Sequence, residues 1–287
     1  MANSPISIII PAKNEASNLR KFLPDLMRAY GDQQVILVDD GSTDDTRIVA
    51  EEHGLIVVRH ENSKGNGAAI KSGVRASTGE ILVFMDGDGQ HSPRDIPQLL
   101  AGIDEGLDMV VGARDSASQA SIGRGLANRL YNRLATYMTG ERVSDLTSGF
   151  RAARAEKFRQ FLYLLPNGFS YPTTSTMAFF RAGYQVGYIS IKAAKREGKS
   201  HIRPIKDGVR FLLIIFKIGT LYSPLKVFVP VSVSVFLIGL LYYGYTYFSA
   251  NQFTNMSALM FTTSLVIFMV GLVSEQITAL MYKDSGK

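Results

Sequence analysis

Two aspartates stand two residues apart in Asp86-Gly87-Asp88, directly after the apolar run Ile81 to Met85. Carboxylates at that spacing, just past a strand, can approach one hard divalent cation, and such a cation keeps open positions for phosphate oxygens. Gln90 is spaced to add a neutral oxygen, and His91 to contact a phosphate. An isolated Asp-x-Asp is weak, because solvated acidic turns share the pattern. Three more segments accompany it: Pro11-Ala12-Lys13-Asn14-Glu15, Val38-Asp39-Asp40-Gly41-Ser42-Thr43-Asp44, and Lys64-Gly65-x-Gly67. Further on come Arg114, Arg124, the run Ser144-Asp145-Leu146-Thr147-Ser148-Gly149-Phe150-Arg151, and the basic segment Lys195 to His201. His53 and His60 sit among residues of ordinary surface character and read as nothing more.

The elements that must hold these residues alternate along the chain. Strands are predicted at Ser7 to Ile10, Val35 to Val38, Ile56 to Arg59, Ile81 to Met85 and Met109 to Val111. They are short runs of β-branched and other apolar residues bounded by turn residues. Helices are predicted at Ser17 to Tyr30, from about Asp45, at Ala68 to Ala76, and from Ser92, which serves as cap with Pro93 at the first position. This alternation indicates a mostly parallel α/β sheet with helices on both faces, where ligands sit at the carboxyl ends of strands. The acidic clusters Asp39-Asp40 and Asp86-x-Asp88 fall at such ends.

Taken in order, each at a strand or helix boundary, the four motifs resemble those of glycosyltransferase family 2 with the GT-A fold, over Pro5 to about Ser200. Gly112-Ala113-Arg114, Arg124 and Ser144 to Arg151 are similar to the polyprenyl-phosphate branch that contains dolichyl-phosphate mannose synthases. The resemblance implies that Pro11, Glu15, Val38 and Asp40 contact the nucleoside, with Lys13 at a position often aromatic in that branch. It implies that Asp86 and Gly87 border the ribose and diphosphate, and that Asp86, Asp88 and Gln90 hold Mg²⁺ or Mn²⁺. Lys64 joins the nucleotide-sugar set. Arg114 and Arg124 would bind the acceptor phosphate, assisted by Asn128, which stands where a serine is frequent. Asp145 is the candidate for a general base or for an orienting role. Lys195 to His201 resembles an R-x-x-G-x-S-K loop that grips a diphosphate, with Lys195, Arg196 and His201 as its contacts. Here Lys195 replaces the arginine and His201 the final lysine. A juxtamembrane charge cluster drawn to anionic lipid is the other reading of that segment.

Of the 287 residues, 46% are hydrophobic and 20% charged, which excludes a disordered chain. The mean hydropathy of +0.07 is high for a soluble enzyme, and the excess lies after Phe211. Leu225 to Phe248 carries only Lys226, and Met256 to Tyr282 only Glu275, so both can cross a hydrocarbon core that takes about 20 apolar residues. Glu275 reads as solvated, or paired with a headgroup or a neighbouring helix. Asp207 to Leu221, with Arg210 and Lys217 embedded, fits a helix lying in the interface or a domain helix packed on the sheet. The expected organisation is therefore a catalytic domain over 1–205, a juxtamembrane interfacial helix over 206–224, and a transmembrane hairpin over 225–287. Basic residues flank the hairpin and its loop Ser249 to Asn255 has no charge, which predicts cytoplasmic termini and a cytoplasmic catalytic domain. MANSPISIII has no basic flank and too short an apolar stretch for a secretory signal, in keeping with that placement.

With no cysteine, disulfides and thiolate metal sites are excluded. A net charge of +6 suits anionic partners, but no basic run with interleaved aromatics points to nucleic acid. The expected activity is inverting transfer of one hexose from a UDP- or GDP-sugar to undecaprenyl or dolichyl phosphate. The alternative acceptor is a lipid hydroxyl such as diacylglycerol, for which an Arg114/Arg124 pair is unnecessary. A non-catalytic scaffold or flippase component is disfavoured by the intact Asp86/Asp88 pair, and a processive synthase by the absence of any tryptophan for a Q-x-x-R-W motif. A homo-oligomer is compatible with a short two-helix anchor.

Overall fold

The computed structural model describes residues 4–114, 122–168, 171–191, 220 and 222–282, and side chains within that set except 122–128 and 282. The chain divides into two compact units, Met1–Tyr137 with Glu141–Ser200, and Met138–Gly140 with His201–Lys287.

Among its described residues the first unit has seven strands: β1 (Ile6–Ala12), β2 (Gln34–Asp40), β3 (Ile56–His60), β4 (Ile81–Phe84), β5 (Met109–Arg114), β6 (Arg151–Arg154) and β7 (Val186–Ile191). Between them lie α1 (Ala16–Tyr30), α2 (Thr46–Glu52), α3 (Asn66–Ala76), α4 (Ile96–Asp104), α5 (Ile122–Thr139), α6 (Ala155–Arg159) and α7 (Tyr171–Arg181). The strand order is β3-β2-β1-β4-β6-β5-β7, parallel throughout except for β6, which runs antiparallel to both neighbours. The expected mostly parallel α/β sheet is therefore present. Its central strands read as unbroken apolar runs because both faces are covered. Ile8 and Ile10 point to one face, with Leu19, Leu23 and Leu26 of α1 and Leu99 and Ile103 of α4. Ile9 points to the other, where a Cβ on Gly73 of α3 would lie 2.4 Å from Ile9 Cγ2. Glycine there lets α3 settle directly onto the strands.

Ser92 does cap a helical turn, its hydroxyl accepting from the Arg94 amide, but that turn is a 3₁₀ segment over Pro93–Asp95 that leads into α4. β6 and β7 had no counterpart among the expected strands. The sequence of β6, Arg-Ala-Ala-Arg, carries no β-branched residue, and it becomes a strand because β4 and β5 supply hydrogen-bonding edges on both sides.

Within the second unit, α8 (Pro224–Ala250) and α9 (Asn255–Tyr282) form an antiparallel pair joined by a turn whose Asn251 takes the left-handed conformation at φ 48°. Both are long and apolar enough to cross a membrane, with mean hydropathy 2.1 over the spanning window. Ser232 and Ser264 exchange hydrogen bonds, each hydroxyl donating to the other's carbonyl at 2.9 and 3.0 Å. Gly239 admits Met260, and Gly271 admits Phe228. Small residues and paired hydroxyls hold apolar helices together where lipid gives no hydrophobic drive. Glu275 Oε2 accepts from the Leu225 amide at the start of α8, where a helix dipole favours a carboxylate. Of the segment 206–224 only Thr220 and residues 222–224 are described, so the interfacial-helix expectation otherwise lies outside the described residues.

Candidate active site

The loops after β1 and β2 are stitched to each other. The Asn14 amide donates to Ser42 Oγ at 2.9 Å, the Thr43 amide to Asn14 Oδ1 at 2.8 Å, and the Glu15 amide to Thr46 Oγ1 at 2.9 Å. Asn14 itself has φ 57°, a conformation that asparagine tolerates better than most residues. β4 continues into the acidic segment under control of β1: the Met85 amide donates to Ile9 O at 3.1 Å and the Gly87 amide to Pro11 O at 3.3 Å. Asp86 and Asp88 are thereby delivered half-buried at the carboxyl edge beside Pro11 and Ala12. The Gln90 amide donates to Asp88 Oδ1 at 3.1 Å, which tightens the turn. Gly149 lies against Asp86, where an added Cβ would be 2.4 Å from Asp86 Oδ2.

Across the site, Arg114 and Asp145 form a two-pronged ion pair. Arg114 Nε donates to Asp145 Oδ2 at 2.8 Å and Nη2 to Oδ1 at 3.1 Å. The same carboxylate accepts from the amides of Thr147 and Ser148 at 3.0 and 3.1 Å, and from the Thr147 hydroxyl at 3.1 Å. Burial alone would raise its pKa, but these donors, Arg114 first, hold Asp145 below the usual carboxylate value. Arg114 Nη2 also reaches Thr147 Oγ1 at 2.6 Å, while Nη1 has no hydrogen bond among the described residues. The Arg114 side chain as a whole keeps 30% of its surface exposed.

His91 packs between these groups. Its ring stacks on Phe150 with centroids 5.0 Å apart, and its buried Nδ1 has no partner among the described residues. Burial lowers its pKa to about 4 against the opposing charge of Asp88, so the imidazole is neutral at pH 7.

The end of the site expected to meet the nucleoside is organised by Asp40. Its carboxylate accepts from His60 Nδ1 at 2.7 Å, Ser63 Oγ at 2.7 Å, and the amides of Lys64 and Gly65, both at 2.8 Å. Burial would raise its pKa, but those four donors outweigh it and hold Asp40 at about 2. A carboxylate offers about four lone-pair sites, and the protein fills them all. His60 thus departs from the surface reading: it is buried, and Nε2 meets Ser72 Oγ at 2.8 Å. The signal was in the register, since β2 and β3 set Asp40 opposite His60. The glycines at the start of α3 receive another part of the protein, with Gly67 and Ala68 amides donating to the carbonyls of Gly168 and Asn167 at 3.1 and 2.9 Å. Val38 is fully buried, main chain included, and Lys13 and Lys64 are exposed.

Pro11, Glu15, Val38, Asp40, Asp86, Gly87, Asp88, Gln90, Arg114 and Asp145 therefore gather at one edge of the sheet. Arg124 and Asn128 belong to α5, but their side chains lie outside the described residues, as do Lys195, Arg196 and His201 altogether. Among the described residues no group of three His, Cys, Asp or Glu is placed to hold a metal. The donor set at the acidic pair is two carboxylates with the Gln90 amide nearby. That fits a hard cation which takes its remaining oxygens from a bound diphosphate. Sequence reasoning quoted Arg151 only as the end of the run from Ser144, without a role of its own, and passed over Tyr171. Arg151 is fully buried, and Tyr171 donates to Gly149 O at 3.0 Å.

Comparison with known proteins gives two family matches: Glycosyl transferase family 2 over residues 7–162, and the GtrB C-terminal hairpin over residues 223–280. The chain is 28% identical to glycosyltransferase AglJ of Haloferax volcanii, over 96% of its own length and 94% of that protein. It is 34% identical to an undecaprenyl-phosphate 4-deoxy-4-formamido-L-arabinose transferase of Klebsiella pneumoniae, over 52% of this chain and 48% of that one, about half the relative's length. Among solved structures, glucosyl-3-phosphoglycerate synthase of Mycobacterium tuberculosis, in complex with Mn²⁺, UDP and glucosyl-3-phosphoglycerate, superposes with a TM-score of 0.60. The match is 25% identical and covers 76% of this chain and 79% of that one.

Proposed function

The chain belongs to glycosyltransferase family 2, with its GT-A fold, and from that premise we propose that it transfers one hexose from a UDP- or GDP-sugar to a membrane polyprenyl phosphate with inversion. The observation that carries the acceptor assignment is the occupied state of Asp145. A hydroxyl acceptor is protonated at neutral pH and gains about 10²–10⁴-fold from a general base. Asp145, the candidate base, is saturated by Arg114, Thr147 and Ser148, and its lowered pKa makes it a poor proton acceptor. A phosphate monoester has a second pKa of about 6 and is mostly the dianion at pH 7, so it needs no base. What it needs is neutralisation and aim. Arg114, held rigid by Asp145, can offer Nη1 to that dianion, and Arg124 and Asn128 are assigned beside it.

In this reading Pro11, Glu15 and Val38 belong to the nucleoside end, Asp40 shapes the loop that closes it, and Lys13 and Lys64 lend positive charge. Asp86, Asp88 and Gln90 would hold Mg²⁺ or Mn²⁺, which supplies charge neutralisation for the departing nucleoside diphosphate. Lys195, Arg196 and His201 are assigned to the same diphosphate. An acceptor oxygen attacks the anomeric carbon from the face opposite the diphosphate. The bond from that carbon to the diphosphate oxygen breaks as the new one forms, which inverts the centre. The hairpin of α8 and α9 keeps the domain at a bilayer, and its basic flanks support a cytoplasmic side for the domain and both termini. The Mn²⁺ and UDP bound by the mycobacterial relative support the donor class, and the Klebsiella undecaprenyl-phosphate transferase supports the acceptor class.

The test is transfer of labelled hexose from UDP- and GDP-sugars in vesicles containing either undecaprenyl phosphate or diacylglycerol. A labelled lipid that survives mild alkali and is cleaved by mild acid is expected with the first acceptor. An alkali-labile product made only with diacylglycerol would move the assignment to the hydroxyl acceptor.

A further inference from the structure

Among the described residues Arg151 is the largest fully buried side chain, and no carboxylate lies within ion-pair distance of it. Burying a guanidinium without a counter-ion is costly unless its donors are all used. Here Nη1 donates to Pro172 O and Ser175 Oγ at 2.9 Å and to Thr176 Oγ1 at 3.0 Å, Nη2 donates to Ser148 O, and Nε has no partner among the described residues. The ring of Tyr171 lies 5.8 Å from the guanidinium carbon, and its hydroxyl donates to Gly149 O at 3.0 Å. Ser175 points its own proton at the carbonyls of Tyr171 and Pro172, at 2.9 and 3.1 Å, and Thr176 donates to Pro172 O at 2.9 Å, which leaves their oxygens to accept from Arg151. One buried cation and one buried phenol therefore hold two successive carbonyls, those of Ser148 and Gly149.

Those carbonyls belong to the turn whose amides are already committed. Thr147 and Ser148 donate theirs to Asp145, and Asp145 grips Arg114. The far end of the same turn, Gly149, rests against the carboxylate of Asp86. We infer that Arg151 and Tyr171 are positioning residues that clamp the Asp145–Gly149 turn, and so fix Arg114 relative to Asp86 during sugar transfer. The inference rests on the acceptor and donor roles proposed above for Arg114 and Asp86. An apolar residue would fill the space of Arg151 with no desolvation cost, but it would leave the Ser148 carbonyl unheld.

Tyr171→Phe is the mildest test, since it removes one hydroxyl, and Arg151→Lys keeps the charge but loses the fork. Full-length protein in nanodiscs would be assayed at least about 15 K below its melting temperature, where the folded state dominates. The clamp predicts that Tyr171→Phe lowers kcat/KM roughly tenfold or more, since a displacement of about 1 Å costs up to about 10²-fold. It also predicts faster amide exchange confined to residues 145–149. In an Asp145→Asn background the same substitution should cost less than about twofold, because the turn has then already lost its grip on Arg114. Losses that multiply independently in the cycle would overturn the inference, as would a fall in activity that only tracks the folded fraction. If the wild type turns over no sugar donor with polyprenyl phosphate, the functional proposal fails and exchange alone decides the clamp. Unchanged protection of residues 145–149 in Tyr171→Phe then refutes it.

Discussion

Gly149→Ala is the sharpest probe of the acidic pair, because its geometry separates activity from folding. A Cβ at position 149 would sit 2.4 Å from Asp86 Oδ2, 2.9 Å from Cγ and 3.0 Å from Oδ1. An ordinary contact begins near 3.4 Å, so the carboxylate must retreat by about 1 Å. The atoms in the way are the end of a short side chain, and the φ of Gly149 is not positive, so the backbone accepts alanine. The loss of chain entropy in the unfolded state even favours alanine by about 0.4–1 kcal/mol. The melting temperature should therefore change by no more than a few kelvin. Activity should not be spared, because a misplacement of about 1 Å in a reacting constellation costs up to ~10²-fold, or about 2.7 kcal/mol of barrier. The assay is steady-state transfer at saturating lipid acceptor, with Mn²⁺ titrated alongside. The specificity constant should fall by a factor of about 30 or more, equivalent to about 2 kcal/mol of barrier, and the Mn²⁺ requirement should rise. Activity within about twofold of wild type would show that Asp86 need not occupy this position, and the reasoning about the acidic pair would fall.

Further outcomes follow from the same geometry. Asp88→Asn should abolish turnover with the domain still folded by circular dichroism, and excess chelator should do the same to the wild type; full activity in chelator would remove the metal assignment. Arg124→Ala should raise the acceptor KM strongly and leave donor affinity nearly unchanged, whereas unchanged acceptor kinetics together with a basic pH limb lost in Asp145→Asn would favour the hydroxyl acceptor. The chain has no cysteine, so single cysteines at Gln252 in the hairpin turn and at Glu105 in the catalytic domain report sidedness directly, and labelling from the same side of sealed vesicles would refute the hairpin topology. Asp40, held at about 2 against an ordinary value of 3.8, contributes stability that is present above about pH 4 and lost as pH falls through 2. Melting curves of wild type and Asp40→Asn should therefore be well separated at pH 6 and converge toward pH 2; parallel curves over that range would contradict the hydrogen-bond assignment.

The sequence was most legible where one residue type had one physical use. Ile8, Ile9 and Ile10 could only be a strand covered on both faces, and Asp86 to Asp88 directly after another strand could only fall at a carboxyl edge. Leu225 to Phe248 and Met256 to Tyr282 announced the hairpin by length alone, and they correspond to α8 and α9. Legibility failed where a role depends on distant partners. Asp40 looked available to a ligand, yet His60, Ser63, Lys64 and Gly65 consume its carboxylate, and that follows only from the pairing of β2 with β3. Arg151 was quoted only as the last residue of the run from Ser144, and its buried role was hidden because the α7 hydroxyls that receive it lie up to 25 residues away. β6 was invisible because nothing in Arg-Ala-Ala-Arg favours a strand until two edges are offered to it.

That inconspicuous strand explains why the two halves of the site face each other. Strands in a sheet are about 4.8 Å apart, so placing β6 between β4 and β5 separates the strand that delivers Asp86 from the one that carries Arg114 by roughly 10 Å. A gap of that size suits a sugar ring between a donor diphosphate and an acceptor phosphate. Because β6 runs antiparallel, it begins at the edge where β4 and β5 end: Arg151 is paired with Phe84 on one side and with Val111 on the other. The residues just before it, Asp145 to Phe150, must therefore enter the sheet through the site. A parallel strand in that place would have brought its preceding loop to the opposite edge, far from both carboxylates. The reversal of one strand thus lets a single short turn touch Arg114 at its start through Asp145 and Asp86 at its end through Gly149. The gap between the two groups is then set by the span of that one turn, and not by the packing of two separate loops.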